Sequence, residues 1–305
     1  MTDRRRIGCA AESLRRQEPL LGTASRVRRW LIVEQPGHWG SNALLESHLD
    51  RDVARTLQSR SRRHGVRVVL IRRPGWRKAG TRRVYLAQSN PDPGRSWVEQ
   101  LDVEDVRALP RVDLASLGAD DPPGVGVPGP ATVHLVCTNG RHDACCANLG
   151  RPVVHALEIA GTPEVWESSH IGGDRFAANI VCLPAGVYFG RVPPEQASRL
   201  LADFAGGHID LDCYRGRSCF PPLIQAAEIF ARRELAETRL DHLRVVSAVR
   251  HGDDGLTAVL VHEEQQRVAV TVGRERGPAE HLTCGDHGMS RPWRYRLVAL
   301  DVTES

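Results

Sequence analysis

The apolar positions of this 305-residue chain fall into short runs and helical stripes, divided by one dense Pro/Gly stretch. Residues 118–130, GADDPPGVGVPGP, suit neither a helix nor a central strand, so they read as a linker or long loop. Beyond it, residues 132–136 (TVHLV) predict a strand, and a polar loop over 138–144 follows. Residues 148–160 place Val153, Val154, Leu157 and Ala160 on helical spacing, with Pro152 suited to a first turn, so a helix is expected there. Residues 164–167 predict a second strand, and 179–183 with 186–191 predict a hairpin around Pro184-Ala185. Pro193-Pro194-Glu195 opens a helix that runs to Phe204 and closes at Gly206-Gly207.

Strand, helix, strand, hairpin, helix is the order of a thioredoxin-like α/β fold. Ahead of the linker the same order returns more faintly, as a strand at 30–34, a helix at 52–63, a strand at 66–71, and a hairpin from 84–88 and 97–101. Two tandem thioredoxin-like units are therefore expected, the first over 1–117 and the second over 131–210. The first has Glu34-Gln35-Pro36-Gly37 where the second has Cys137-Thr138-Asn139-Gly140, which puts thiol chemistry in one unit only. A C-terminal α+β region over 211–305 completes the division. It carries a helix at 222–237 and alternating strands at 243–250, 256–261, 268–272 and 295–302, with Asp253-Asp254-Gly255 as a hairpin turn.

Composition narrows the class. A hydrophobic fraction of 41% fits a globular chain, and no run approaches the roughly 20 apolar residues of a membrane-spanning helix. The apolar run after the basic Met1–Arg6 is too short for a signal peptide, so a cytoplasmic location is expected. A net charge of +4 with arginines dispersed among acidic residues gives no nucleic-acid footprint. Eight cysteines in such a chain point to metal or redox chemistry before disulfides.

Cys137, Cys145, Cys146, His170 and Asp174 are the informative group. Cys137 ends a strand, and eight residues separate it from Cys146, which stands just before the expected helix. Two loop cysteines can hold one iron of an iron–sulfur cluster, and histidine can serve a second iron. In Ser168-Ser169-His170-Ile171-Gly172-Gly173-Asp174-Arg175 the paired glycines predict a tight loop whose backbone can approach a bulky group. Cys284 with His281 and His287 matches no common zinc spacing and reads as a loop. Cys182 reads as a small buried hydrophobe, and Cys213 and Cys219 as structural.

Cys-x8-Cys followed by His-x-Gly-Gly resembles the sucrase/ferredoxin-like family of thioredoxin-like [2Fe–2S] proteins. The resemblance runs from Gly22-Thr23-Ala24-Ser25 to Cys213-Tyr214-Arg215-Gly216-Arg217-Ser218-Cys219, and residues 168–179 (SSHIGGDRFAAN) are its most specific part. It implies Cys137, Cys146 and His170 as ligands of one [2Fe–2S] cluster. An electron-transfer or redox-sensing protein without catalytic residues of its own is therefore expected. The HxGGH motif of the family's eukaryotic members has a second histidine where this chain has Asp174. Three outcomes stay open: Asp174 ligates, Cys145 or another thiol such as Cys9 replaces it, or the cluster is labile or absent. Arg141 and Arg175 are expected beside the cofactor, donating hydrogen bonds to its sulfurs or offsetting its charge. A redox partner protein is expected, with no nucleic acid and no membrane. Two rivals use the same positions: a thiol oxidoreductase, which here lacks Cys-x-x-Cys, and a zinc-binding structural module.

Overall fold

A computed structural model of the chain describes residues 8–73, 80–263, 265–285 and 288–304. Its helices are α1 (Cys9–Arg15), α2 (Ala43–Glu46), α3 (Arg51–His64), α4 (Ala144–Ile159), α5 (Pro194–Ala205) and α6 (Pro222–Glu234). Ten strands form one mixed sheet: β1 (Arg29–Glu34), β2 (Val66–Arg72), β3 (Arg82–Gln88), β4 (Trp97–Val103), β5 (Val127–Pro128), β6 (Val133–Cys137), β7 (Val165–Ser168), β8 (Ile180–Leu183), β9 (Val187–Phe189) and β10 (Tyr214–Arg217). Four more form an antiparallel sheet: β11 (Leu243–His251), β12 (Gly255–His262), β13 (Gln266–Arg276) and β14 (Trp293–Glu304). The fold is mixed α/β.

The large sheet runs β10-β9-β8-β6-β7-β2-β1-β3-β4-β5. In its first half β1 is parallel to β2 and antiparallel to β3, which pairs antiparallel with β4. In its second half β6 is parallel to β7 and antiparallel to β8, which pairs antiparallel with β9. The halves thus repeat one topology. They are joined where β2 meets β7 antiparallel through Ile71–Ser168 and Arg72–Glu167.

Local chemistry explains the elements. Asp50 caps α3 by accepting the amide hydrogens of Asp52 and Val53, and Gly65 ends it in the left-handed conformation. Val53, Ala54 and Leu57 of α3 bury against Leu31, Val33, Leu70 and Leu86 on one face of the first half. The opposite face presents Trp30, Ile32, Ile71 and Tyr85, which share a core with Leu135, Trp166, Val181 and Tyr188 of the second half. The two halves therefore face each other, and Cys137 and Cys146 belong to the core between them. On its other side the second half is covered by α4, α5 and α6, and α6 also carries the small sheet on Ala258, Leu260 and Val270.

One helix begins earlier than its sequence pattern placed it. α4 opens at Ala144, and Pro152 lies in its middle rather than its first turn. The missing amide hydrogen of Pro152 leaves the carbonyl of Asn148 without its helical partner, and both residues sit on the exposed face, open to solvent.

His134 gives the fold a pH dependence of its own. Its Nδ1 lies 3.4 Å from the buried thiol of Cys182 on β8, and burial pushes its pKa down to about 4 against the opposing pull of Glu164. Between the unfolded value near 6.5 and the folded value the unfolded chain holds more protons. This contribution is complete above pH 6.5 and is lost as pH falls toward 4. From pH 7.5 to 5 the loss is about 2 kcal/mol. Urea midpoints at both pH values should show a His134→Gln chain losing less stability on acidification than the parent.

Candidate metal centre

Two turns at one end of the second half build the site. The first leads from β6 into α4. A Cβ at Gly150 would collide with the carbonyl of Cys137, so glycine lets α4 lie against the strand end. Asp143 caps α4 by accepting the Cys145 amide hydrogen at 2.8 Å, which places Cys146 in the first helical turn rather than ahead of the helix. Successive helical residues point about 100° apart. Cys146 turns toward Cys137, and Cys145 turns away toward Cys9 and Cys284.

The second turn carries His170 and Asp174. Gly172 and Gly173 have φ of 105° and 83°, and a Cβ at Gly173 would strike the Arg215 guanidinium. Buried Arg215 clamps this loop, donating to the carbonyl of Gly172 at 3.0 Å, to Asn179 Oδ1 at 2.7 Å and to the carbonyl of Thr23 at 2.6 Å. Sequence reasoning gave Arg215 and Thr23 no role, although GTAS and YRGR mark the ends of the resemblance.

These turns bring Cys137 Sγ, Cys146 Sγ and a ring nitrogen of His170 within 4.8 Å of one another. Asp174 Oδ1 lies 3.3 Å from Cys146 Sγ and 2.8 Å from His170 Nδ1. His142, inside the Cys-x8-Cys loop, stacks on His170 with ring centroids 3.7 Å apart, and its Nε2 is 3.7 Å from Asp174 Oδ2. Each of the two cysteines is 1% exposed, whereas the side chains of His142 and His170 are 31% and 23% exposed. The site is closed around sulfur and open at its imidazoles.

The charges are mutually supporting. The hydrogen bond from Cys146 holds the Cys137 thiol well below its ordinary value against the cost of burial, and His170 helps. Sharing that bond pushes Cys146 up, with burial adding to the effect. Burial drags His170 down, but Asp174 and Cys137 outweigh it and lift its pKa to about 9. Burial raises Asp174 as well, yet His170 brings it below the ordinary carboxylate range. The Cys137 thiol and the Asp174 carboxyl are thus pushed toward their charged forms beside a His170 held toward its protonated one.

Residues 20–216, more than half of the chain, match the model of the sucrase/ferredoxin-like family. The chain belongs to the sucrase/ferredoxin-like family. Comparison with curated proteins gives no match, nor does comparison with solved structures. The matched span contains Cys137, Cys146, His170 and Asp174 and leaves Cys9 and Cys284 outside.

The donor set suits the iron–sulfur group that this family's name points to. Two thiols, an imidazole and a carboxylate are four anionic or neutral donors on two adjacent turns. Nδ1 of His170 is buried and lies 2.8 Å from Asp174 Oδ1, so the two donor atoms already face one another in the pocket. Of the two arginines expected beside the cofactor, Arg175 donates from Nε to Glu18 Oε1 at 2.8 Å with its guanidinium over the Phe176 ring. Arg141 is exposed in a cleft with Arg72 and Arg151. No helix among the described residues is long and apolar enough to cross a membrane.

Proposed function

We propose that this chain holds one [2Fe–2S] cluster on Cys137, Cys146, His170 and Asp174 and exchanges electrons with a protein partner. The observation that carries the reading is the convergence of these four side chains, from two glycine-dependent turns, in a pocket closed around sulfur. The repeated order β2-β1-β3-β4 and β7-β6-β8-β9 supports two thioredoxin-like units, with ligands in the second alone. When bound, such a cluster supplies one-electron oxidation and reduction. The chain's own residues bind and shield it: Cys137 and Cys146 exclude water, and Arg215 fixes the loop that bears His170 and Asp174.

Transfer to a partner requires an exposed edge, and His142 and His170 form it. They line a cleft with Ser41, Asn42 and Arg67, and Arg67 also borders a groove with Arg26, Arg28 and Arg29. That positive rim suits an acidic redox protein. Catalysis by thiol exchange is disfavoured, because a nucleophilic sulfur must be reached by its substrate and both thiols are buried.

Asp174 is the ligand that sets this chain apart from HxGGH. It adds negative charge to the site, which favours the oxidised state. An Asp174→His chain should keep its iron and gain reduction potential, on the order of 100 mV by comparison with the effect of histidine ligation in other clusters. Asp174→Ala should lose or destabilise the iron. Redox titration and iron assay of both variants test the reading. Unchanged iron and an unchanged potential in Asp174→Ala would remove Asp174 from the ligand set.

A further inference from the structure

Cys145 does not join the cluster pocket, and its neighbours form a second constellation. Cys9 from the start of α1, Asp143 and Cys145 from the start of α4, and Cys284 from the loop between β13 and β14 each present a donor atom, all within 4.8 Å of one another. Cys145 Sγ is 3.4 Å from Cys284 Sγ, and Cys9 Sγ is 3.5 Å from Asp143 Oδ2. Three of the four residues are buried and Cys284 is partly so. His281, which the sequence set beside Cys284, turns to the carbonyl of Gly288 at 3.1 Å, and His287 lies outside the described residues.

We propose that Cys9, Cys145, Cys284 and Asp143 form a structural zinc site, separate from the cluster pocket. Zinc bound by thiolates at about 2.3 Å in a tetrahedron sets neighbouring sulfurs about 3.8 Å apart, inside the range these donors span. A disulfide needs about 2.05 Å between the sulfurs, much closer than Cys145 and Cys284 lie. The polar surroundings are those of ligands rather than of packing. The Cys9 amide hydrogen points to Cys284 Sγ at 3.3 Å, and the Ala10 amide supports Cys145 Sγ. Asp143 accepts the Cys145 amide hydrogen on Oδ1 at 2.8 Å and the Cys284 amide hydrogen on Oδ2 at 2.6 Å, and each oxygen keeps a further lone pair for an ion.

Placement gives the site a purpose. Its residues come from segments up to 275 positions apart, and both Cys9 and Cys284 lie outside the family-matched span. Zinc there ties α1 and the small sheet to the first turn of α4, whose next residue is Cys146. On binding, the three thiols release their protons to solvent and the four donors close the coordination shell, leaving no open position for a substrate. The role is a staple. It holds the turn that presents Cys146 to the cluster pocket, and the zinc site itself does not depend on the cluster reading.

The test is metal analysis of the full chain expressed with added zinc, on the parent and on Cys284→Ser, Cys9→Ser and Cys137→Ala. About one zinc per chain is expected in the parent, falling roughly tenfold in each of the first two variants and remaining in Cys137→Ala. Titration of zinc-stripped parent and zinc-stripped Cys137→Ala with Co2+ should give thiolate-to-metal charge-transfer absorption that persists in the variant, which keeps the test decisive where a serine variant fails to fold. A parent that binds neither zinc nor Co2+ would overturn the proposal. So would a Cys145–Cys284 disulfide in non-reducing peptide mapping, or iron that stays in Cys137→Ala but leaves with Cys284→Ser. Loss of iron alone from Cys137→Ala bears on the cluster and leaves zinc intact, so the two readings fail separately.

Discussion

Replacing Cys137 with alanine is expected to lower bound iron tenfold or more and to bleach the visible absorption of the protein. Cys137 ends β6 with its sulfur enclosed between the sheet halves, and its thiol pKa is lowered by Cys146 and His170. No other described cysteine replaces it. Cys145 is committed to Cys9 and Cys284, and Cys182 sits on β8 against His134. Alanine would leave His170 and Asp174 with one thiol, too few donors to close a two-iron group. Cys182→Ala is the matched control. It removes an equally buried thiol and should keep the iron, at a stability cost of about 1 kcal/mol. Iron and sulfide assays on the two variants, purified side by side, make the comparison.

The second large effect concerns the fold. Arg232 and Glu228 lie one turn apart on α6 with side chains 0% and 1% exposed, paired at 2.9 Å. Arg232 also donates to the carbonyls of Arg239 and Leu240, which close the chain after α6, and Tyr214 donates to Glu228 at 3.3 Å. α6 is the element that joins the small sheet to the large one. Arg232→Met strands a buried carboxylate and two carbonyls, at a cost of about 3–5 kcal/mol. Adding Glu228→Leu removes the stranded charge and should recover part of that loss, since an apolar pair of similar volume often replaces a buried ion pair without penalty. The two carbonyls still lack donors, so recovery stays incomplete. Urea midpoints of both single variants and the double variant read this directly, and full additivity would show that the pair does not act as a unit.

Much of the architecture was legible because it rests on local patterns. Alternation in 243–250 and 256–261 with Asp253-Asp254-Gly255 between them gave β11, its turn and β12 to within a residue or so. Both strand–helix–strand–hairpin runs were visible for the same reason. The start of α4 was not, because Pro152 points to a later first turn and competes with the capping signal of Asp143. Pairing of β2 with β7 depends on contact between distant segments, which no periodicity encodes.

The site divides in the same way. Cys137, Cys146 and His170 stand on turns whose glycines and spacing show in the sequence, so their convergence could be anticipated. The fourth position stayed open among Asp174, Cys145 and Cys9 because adjacent cysteines are indistinguishable until helical rotation sends them to opposite sides of a turn. That rotation puts Cys146 3.3 Å from Asp174 and Cys145 3.4 Å from Cys284. His142 had a signal in its place within the Cys-x8-Cys loop, but only three dimensions reveal its stacking on His170. Arg215 was hidden for a plainer reason. It acts from the far end of the matched span, through the carbonyls of Gly172 and Thr23 and the Asn179 side chain, partners whose meeting no sequence spacing encodes.

The cluster itself is tested by purifying the full chain without oxygen, reconstituting it with iron and sulfide, and recording its visible spectrum with iron and acid-labile sulfide assays. About two irons and two sulfides per chain are expected, with visible absorption that bleaches on one-electron reduction. A colourless protein without iron after that treatment would contradict the assignment of Cys137, Cys146, His170 and Asp174 to an iron–sulfur centre.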